Sequence, residues 1–242
     1  MKKRVLLGML TPSSNTALEP ITSAMVAQLP GVSAHFSRFT VTEISLSNQA
    51  LGQFDTGNII QAAKLLADAK VDVIAWNGTS SGWLGFDSDR RLCEQIQDAT
   101  GIPATTSVLA LNEILEKTGV KQFGLVSPYL EDVQQKIVAN YLASGFDCSA
   151  ESHLKLKVNF EFSEVGEDTL RQQIREVAKQ RPEAITTFCT NLHAAHLADE
   201  VEKEFGIPLY DTISTVVWKS LKLAGYDTTQ LKGWGRLFSE VN

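Results

Sequence analysis

The chain has 242 residues, is 43% hydrophobic and carries a formal net charge of −6 at pH 7. This length suits one medium globular unit or two small domains, and it buries enough surface to fold without a disulfide or a metal. A mildly acidic chain without a block of basic residues is poorly suited to nucleic acid or to an anionic membrane surface, so we expect neither as a partner.

The three cysteines, Cys93, Cys148 and Cys189, are odd in number and widely spaced. This pattern favours free thiols in a reducing compartment over a disulfide framework. No apolar stretch of the sequence reaches transmembrane length. We therefore expect a cytoplasmic protein.

Short apolar runs alternate with longer amphipathic stretches along the chain. Strands are predicted at residues 5–10, 73–76, 123–126 and 184–188, with weaker strands near residues 34, 103, 147 and 208. Helices are predicted at residues 59–70, 108–117, 130–144 and 169–180, and one more runs to residue 223. The alternation predicts an α/β fold with parallel sheets that are covered by helices on both faces.

The sequence repeats itself around the predicted strand ends. Residues 101–107 read Gly-Ile-Pro-Ala-Thr-Thr-Ser before a helix, and residues 206–212 read Gly-Ile-Pro-Leu-Tyr-Asp-Thr before another. The strands that lead to Gly78 and to Cys189 correspond in the same way. The repeat predicts two similar Rossmann-like (flavodoxin-like) halves, with parallel sheets related by pseudo-two-fold symmetry.

The first half would comprise residues 1–110 together with 213–242, and the second half residues 111–212. No glycine-rich linker separates them, so we expect tight packing. Ligand sites of open parallel sheets lie beyond the carboxyl ends of the strands. We therefore expect the active site in the cleft between the two halves, where strand-end loops of both would meet.

Two polar loops of the first half are candidate substrate-binding segments. Residues 78–80 follow a buried strand, where backbone N–H groups and hydroxyls converge on one point and favour an anion. Residues 12–15 end the first strand and open a helix. Either loop could equally be an ordinary connection with a capping side chain. The candidate residues are Pro12, Ser13, Asn15, Gly78, Thr79 and Ser80.

Cys189 occupies, in the second half, the place that Gly78 holds in the first. A thiol at a strand end before a helix has a lowered pKa and an accessible sulfur. Thr190 and Asn191 would supply amides for an oxyanion, and Tyr129, at another strand end, would donate its hydroxyl. The structural alternatives are a small buried hydrophobe for Cys189 and a packing residue for Tyr129.

His193 and His196 lie three residues apart, shortly after Cys189. A Cys/His nucleophilic pair or a metal site is conceivable. No third ligand is evident in the sequence, so we predict no metal. There is no Walker pattern, and residues 8–12 do not fit the dinucleotide fingerprint, so we expect neither ATP nor NAD and predict no cofactor.

In this order, the strand-end motifs resemble those of the aspartate/glutamate racemase superfamily, and within it maleate cis-trans isomerase and arylmalonate decarboxylase. Residues 8–16, Gly-Met-Leu-Thr-Pro-Ser-Ser-Asn-Thr, look like the start of maleate isomerase, whose asparagine binds a substrate carboxylate. Residues 233–238, Gly-Trp-Gly-Arg-Leu-Phe, look like the decarboxylase terminus. Cys189, before Thr190 and Asn191, falls on the second catalytic cysteine of both groups. The resemblance implies a small dicarboxylic acid as substrate, and Asn159 is similar to a further carboxylate-binding asparagine.

One position departs from most of the superfamily. Racemases and maleate isomerases of this type carry a second cysteine before a Thr-Ser pair, where this chain has Gly78; arylmalonate decarboxylase has glycine there too. The resemblance therefore implies a cofactor-independent decarboxylase of a 2-substituted malonate. Cys189 would protonate the enediolate after CO2 leaves, while Thr79, Ser80, Tyr129 and the amides of residues 190–191 would hold a carboxylate. The decarboxylase has glycines after its cysteine, so residues 190–191 favour a smaller, more polar substrate here.

Two other functions stay open. An isomerase or racemase acting on a small dicarboxylate would need another residue, such as Ser81 or Asn77, in place of the missing cysteine. A non-catalytic binder of dicarboxylates would keep the cleft and lack turnover. The sequence also leaves a homo-oligomer open.

Overall fold

The computed structural model describes residues 4–241 and shows an α/β fold with two parallel sheets. The first sheet has the order β2-β1-β3-β4, and its strands are β1 Val5–Pro12, β2 Val32–Phe39, β3 Val73–Trp76 and β4 Ala104–Thr106. The second has the order β6-β5-β7, and its strands are β5 Phe123–Ser127, β6 Glu151–His153 and β7 Ala184–Thr187. The predicted Rossmann-like architecture with parallel sheets is confirmed.

Helices connect the strands and cover the sheets. In the first part of the chain they are α1 Leu18–Val26, α2 Asn48–Gly52, α3 Thr56–Asp68, α4 Ser81–Leu84, α5 Asp87–Thr100 and α6 Ser107–Thr118. In the second part they are α7 Glu131–Ala143, α8 Asn159–Phe162, α9 Glu167–Ala178, α10 Ala198–Phe205, α11 Thr212–Leu223 and α12 Leu237–Glu240. Between residues 4 and 241, no helix combines the length and the apolar character that crossing a membrane requires.

The central strands explain the burial pattern. β1 pairs with β2 and β3, and β5 pairs with β6 and β7, so each lies between two parallel neighbours. All four residues of β3 and all four of β7 are buried, as expected when helices cover both faces of a parallel sheet. Continuous apolar runs therefore form the buried strands. The polar residues that follow these strands lie together at the carboxyl edge of the sheets.

Two weakly predicted strands differ from the structure. Near residue 147, Asp147 forms only an isolated bridge with Gln122, and the strand proper is β6. Near residue 208, Leu209 forms an isolated bridge with Ile185. Both segments run beside the second sheet too briefly to build a regular ladder.

The division of the chain into halves stays a prediction. The helix α11 packs against α6, and the Thr215 hydroxyl donates to the Ser107 carbonyl at 3.0 Å. The prediction groups residues 213–242 with residues 1–110 and leaves 111–212 as the second half; its boundary at residue 110 lies within α6. Residues 1–3 and 242, at the predicted outer boundaries, lie outside the described residues.

Candidate active site

The carboxyl ends of the central strands meet at one cavity. Pro12 ends β1, Thr79 lies just beyond β3, Tyr129 just beyond β5, and Cys189 just beyond β7. The cavity is small. It is lined by Pro12, Val41, Ile44, Phe54, Trp76, Gly78, Thr79, Ser80, Trp83, Tyr129, Asn159, Cys189 and Thr190.

Most of the sequence-predicted site residues therefore lie around one space. They come from both sheets, as the cleft hypothesis expects, and the thiol is the most reactive group among them. The other two cysteines, Cys93 and Cys148, do not line this cavity. None of the described residues that line the cavity carries a cationic side chain. A bound dianion would therefore rely on hydroxyls and amides for its stabilisation.

Cys189 is deeply buried, with 3% of its surface exposed. Burial raises the pKa of its thiol to about 12; hydrogen bonds from the Tyr129 hydroxyl and the Asn191 N–H oppose this, and Asp211 adds to it. The Asn191 N–H lies 3.4 Å from the Cys189 sulfur. The expectation of a lowered pKa is wrong, because the sulfur is buried; Thr190 and Asn191 form a turn, and no helix begins at the sulfur. At neutral pH the group is a thiol, which is the form that donates a proton.

Tyr129 and Thr79 join the two sheets across the cavity. Their hydroxyl oxygens lie 2.5 Å apart, and both residues are buried. Burial raises the pKa of Tyr129 well above its usual value, so its hydroxyl stays a neutral donor. The Trp83 ring packs edge-on against the Tyr129 ring, with centroids 5.3 Å apart. These contacts hold two hydroxyls in place beside the thiol.

Three predicted residues do not line the cavity: Ser13, Asn15 and Asn191. The Asn15 side chain accepts hydrogen bonds from the N–H groups of Ala17 and Leu18 at the start of α1. Its amide donates to the Thr190 carbonyl in the other half, at 2.9 Å. The side chain of Asn15 is thus used in holding loops together, and its predicted role as a substrate ligand stays a prediction.

The Asn191 side chain also holds loops together. Its side-chain oxygen accepts from the Thr16 N–H at 2.9 Å, and its amide donates to the Asn159 carbonyl at 2.5 Å. Ser13 is bonded through its hydroxyl to the Val41 backbone. For Asn191 and Ser13, substrate binding likewise stays a prediction. Their observed contacts fix the loops that carry the cavity residues.

Gly78 faces the Trp76 indole. A Cβ atom at position 78 would overlap the indole atoms Cζ2 and Cε2 of Trp76. Trp76 is 1% exposed and packs on the Phe39 ring, with centroids 5.0 Å apart, so it has little room to withdraw. The glycine is therefore required by its surroundings, because a side chain at position 78 would overlap the Trp76 indole.

A match to a known protein family identifies the family of this chain. A family model described as arylmalonate decarboxylase matches residues 7–238. The chain belongs to the arylmalonate decarboxylase family. The resemblance predicted from the strand-end motifs is confirmed by this match, and the chain is an enzyme of the family that includes maleate isomerases and arylmalonate decarboxylases.

Members of both kinds are similar to this chain. The maleate isomerase of Geobacillus stearothermophilus is 22% identical over 233 residues, covering 92% of each chain. The arylmalonate decarboxylase of Bordetella bronchiseptica is 25% identical over 186 residues, covering 76% of this chain and 78% of its own. The solved maleate isomerase Iso of Pseudomonas putida S16 has a TM-score of 0.90 and 22% identity, covering 99% of this chain and 100% of that chain. A solved arylmalonate decarboxylase has a TM-score of 0.78 and 22% identity, covering 97% and 99%.

Sequence reasoning missed the apolar wall of this family member's cavity. Val41, Ile44 and Phe54 come from the segment after β2 and line the space. That segment is held by a bridge between Glu43 and Val158, so it meets the loop that carries Asn159. The repeat could have indicated this, because β2 and β6 are the matching edge strands and the segments after them face each other.

The histidines lie away from this chemistry. Neither His193 nor His196 lines the cavity, and His196 bonds to Glu167 at 2.9 Å. Within residues 4–241, no cluster of three histidine, cysteine or acidic side chains is placed to hold a metal ion. The residues that surround Cys189 are hydroxyl, amide and apolar groups.

Proposed function

We propose that this enzyme is a cofactor-independent decarboxylase of a small 2-substituted malonate, with Cys189 as the proton donor. The observation that carries the proposal is the pairing of Cys189 with Gly78. Racemisation through two acid/base groups needs one group on each face of the carbanion. Here the thiol is on one side, and the Trp76 indole occupies the space of any side chain at position 78. Protonation from one face remains, and it gives one enantiomer.

Substrate binding would use the polar side of the cavity. One carboxylate accepts hydrogen bonds from the hydroxyls of Thr79, Ser80 and Tyr129 and from the amides that follow Cys189. The other carboxylate then faces the apolar wall at Val41 and Ile44. Without a cationic side chain among the lining residues, that second carboxylate loses hydration and gains no ion pair, which favours its departure as CO2.

Chemistry would follow in two steps. The bond between C2 and the departing carboxylate breaks, and its electron pair forms an enediolate while CO2 leaves. The hydroxyls of Thr79 and Tyr129 stabilise the developing oxyanion. Cys189 then transfers its proton to C2, giving the monocarboxylate. A solvent proton returns to the thiolate, which Tyr129 and the Asn191 N–H stabilise in the meantime. The net reaction consumes one proton and releases one CO2.

An isomerase acting on a small dicarboxylate is the second candidate. The observation in its favour is that maleate isomerases match over 92% of this chain, against 76% for the decarboxylase relative. A cysteine-to-serine mutant of the Nocardia farcinica maleate isomerase holds a covalently bound succinylcysteine intermediate. The corresponding step here would need the Cys189 thiolate to add to a double bond. Burial opposes that form, because it raises the pKa of the thiol to about 12.

The test is turnover of two substrate sets in D2O. We expect small alkyl- and alkoxymalonates to release CO2 and to yield a monocarboxylate with one deuterium at C2, in one enantiomer. Maleate should stay unchanged. Conversion of maleate to fumarate without CO2 release from any malonate would overturn the proposal in favour of the isomerase.

A matched pair of variants separates catalysis from binding. Cys189→Ala should bind the malonates and lose turnover, whereas Cys93→Ser, outside the cavity, should keep it. If Cys189→Ala bound as wild type and the wild type turned over none of the substrates, the protein would be a dicarboxylate binder.

A further inference from the structure

Trp83 lines the cavity and carries an unused hydrogen-bond donor. The residue lies in α4, directly after the Thr79-Ser80 pair, and is 5% exposed. Its indole N–H is buried and has no acceptor among residues 4–241. Trp218, also fully buried, donates its indole N–H to the Val241 carbonyl at 3.0 Å. Trp83 thus departs from the usual state of a buried tryptophan.

Aromatic rings pack against the Trp83 indole, and its N–H has no hydrogen-bond acceptor among residues 4–241. Phe54 and Tyr129 pack against the indole at angles of 74° and 66°, with ring centroids at 6.0 and 5.3 Å. A buried donor without a partner is costly, and that cost is recovered when a ligand supplies the acceptor. Because Trp83 borders the cavity, a ligand bound there is well placed to do so.

The position of Trp83 in the cavity determines which part of a bound ligand its indole N–H would contact. Thr79, Ser80 and Tyr129 form the hydroxyl-rich side, where the proposed function places the retained carboxylate. Trp83 lies between this side and the apolar wall: its ring packs against Tyr129 and also against Phe54, from which the wall continues through Val41 and Ile44. The substituent at C2 of a malonate would occupy the space left between these sides.

We propose that Trp83 is a specificity-determining residue whose indole N–H donates to an acceptor oxygen in the C2 substituent. The inference rests on the proposed function and names its substrate class: malonates whose short substituent carries an ether, hydroxyl or carbonyl oxygen. The small size of the cavity favours a short substituent. An apolar substituent of the same length fits the space but leaves the Trp83 donor unpaired.

The kinetic test uses two substrates of nearly equal shape, ethoxymalonate and propylmalonate. The wild-type enzyme should prefer ethoxymalonate in kcat/KM by about three- to tenfold, the size of one neutral hydrogen bond. In Trp83→Phe this preference ratio should fall by about three- to tenfold relative to wild type, because both substrates keep their intrinsic reactivity and only the hydrogen bond is lost. A wild-type ratio near one, or an unchanged ratio in Trp83→Phe, would overturn the inference.

A spectroscopic test does not depend on turnover. In Cys189→Ala labelled with ¹⁵N, ethoxymalonate should move the Trp83 indole N–H resonance downfield, and propylmalonate should move it much less. The Trp218 resonance, already hydrogen-bonded, should stay in place with both. Ligand binding that leaves the Trp83 resonance unmoved would refute the inference and leave the decarboxylase proposal standing. A shift with ethoxymalonate in a protein that decarboxylates neither malonate would refute the proposed function alone.

Discussion

The indole ring of Trp76 lies in the space into which a side chain at position 78 would project. The two residues lie two positions apart, at the end of β3 and just beyond it. The space beside position 78 is thus filled by an aromatic ring. The absence of a side chain at position 78 is consequently a property of the packing as well as of the sequence.

This relationship predicts the behaviour of Gly78→Cys. The new side chain must displace a buried indole, so we expect a loss of about 1–3 kcal/mol in the free energy of unfolding. We also expect no exchange of the α-hydrogen of the product monocarboxylate with D2O, because the thiol has no room beside Trp76. Urea unfolding and NMR detection of deuterium measure the two effects.

Two variants serve as controls for that prediction. Gly52→Cys adds the same side chain where nothing lies within 4 Å, so its stability should stay within about 0.5 kcal/mol of wild type. Trp76→Leu combined with Gly78→Cys removes the overlap and should gain exchange at the α-carbon. Exchange in the single variant Gly78→Cys would show that the indole is not the obstacle.

The pH profile of decarboxylation follows from the burial of Cys189. The acid form donates the proton, and a pKa of about 12 keeps the thiol protonated throughout the neutral range. We therefore expect kcat to be flat between about pH 7 and about pH 9 in CO2-release assays. A reaction that used the thiolate would accelerate about tenfold for each pH unit below that pKa, and such a slope would contradict the proton-donor role.

Tyr129→Phe should slow decarboxylation by about 10²–10³ in kcat, because it removes one oxyanion donor and leaves the ring in place. The matched control is Tyr141→Phe. Tyr141 is fully buried, and its hydroxyl has no partner within the described part of the chain. It does not line the cavity, so its removal should leave kcat unchanged. Equal losses in both variants would indicate a general packing effect.

Asp89 makes stability depend on pH in a defined direction. Its carboxylate is buried and accepts hydrogen bonds from the hydroxyls of Ser81, at 2.8 Å, and Thr106, at 2.5 Å. Burial raises the pKa from 3.8 to about 6, so the folded state binds the proton more tightly than the unfolded state. The stability from Asp89 is therefore complete below about pH 4 and is lost as pH rises through about 6, by about 3 kcal/mol.

Asp89→Asn removes this titration and keeps an acceptor for the two hydroxyls. Relative to wild type, the variant should gain stability on going from about pH 4 to about pH 7, as measured by urea unfolding. The exposed Asp68→Asn, which also removes one negative charge, controls for net charge. An Asp89→Asn variant whose stability ran parallel to wild type over this range would contradict the assignment.

The strand ends were predictable because local patterns determine them. Apolar runs such as β3 and β7 end in polar loops, and the internal repeat relates Gly78 to Cys189, so both could be placed near one cavity. The apolar wall was not predictable, because Val41 and Phe54 carry no chemical signature. Their position depends on a bridge to Val158, far away in sequence.

The pKa of Cys189 and the contacts of Asn15 show the same limit. A motif reports which groups are adjacent in sequence, but burial and long-range partners set ionisation. The thiol is buried and no helix begins at it, so its pKa is raised. Asn15 lies in a segment that looks like a ligand-binding one, yet its side chain bonds to Ala17, Leu18 and Thr190.

The hydrogen bonds of Asn15 and Asn191 across the two halves have a consequence for protein engineering. Cys189 and Tyr129 follow strands of the second sheet, whereas Thr79 follows a strand of the first, and the two asparagines join the loops of both sheets. A chimaera that took one sheet and its loops from a relative would need asparagines at positions 15 and 191, because their partners at residues 16, 159 and 190 are backbone groups that any residue supplies. The loops that these hydrogen bonds join should therefore be transplanted together. Exchanging a single loop would change the distance between the Cys189 thiol and the Thr79 hydroxyl.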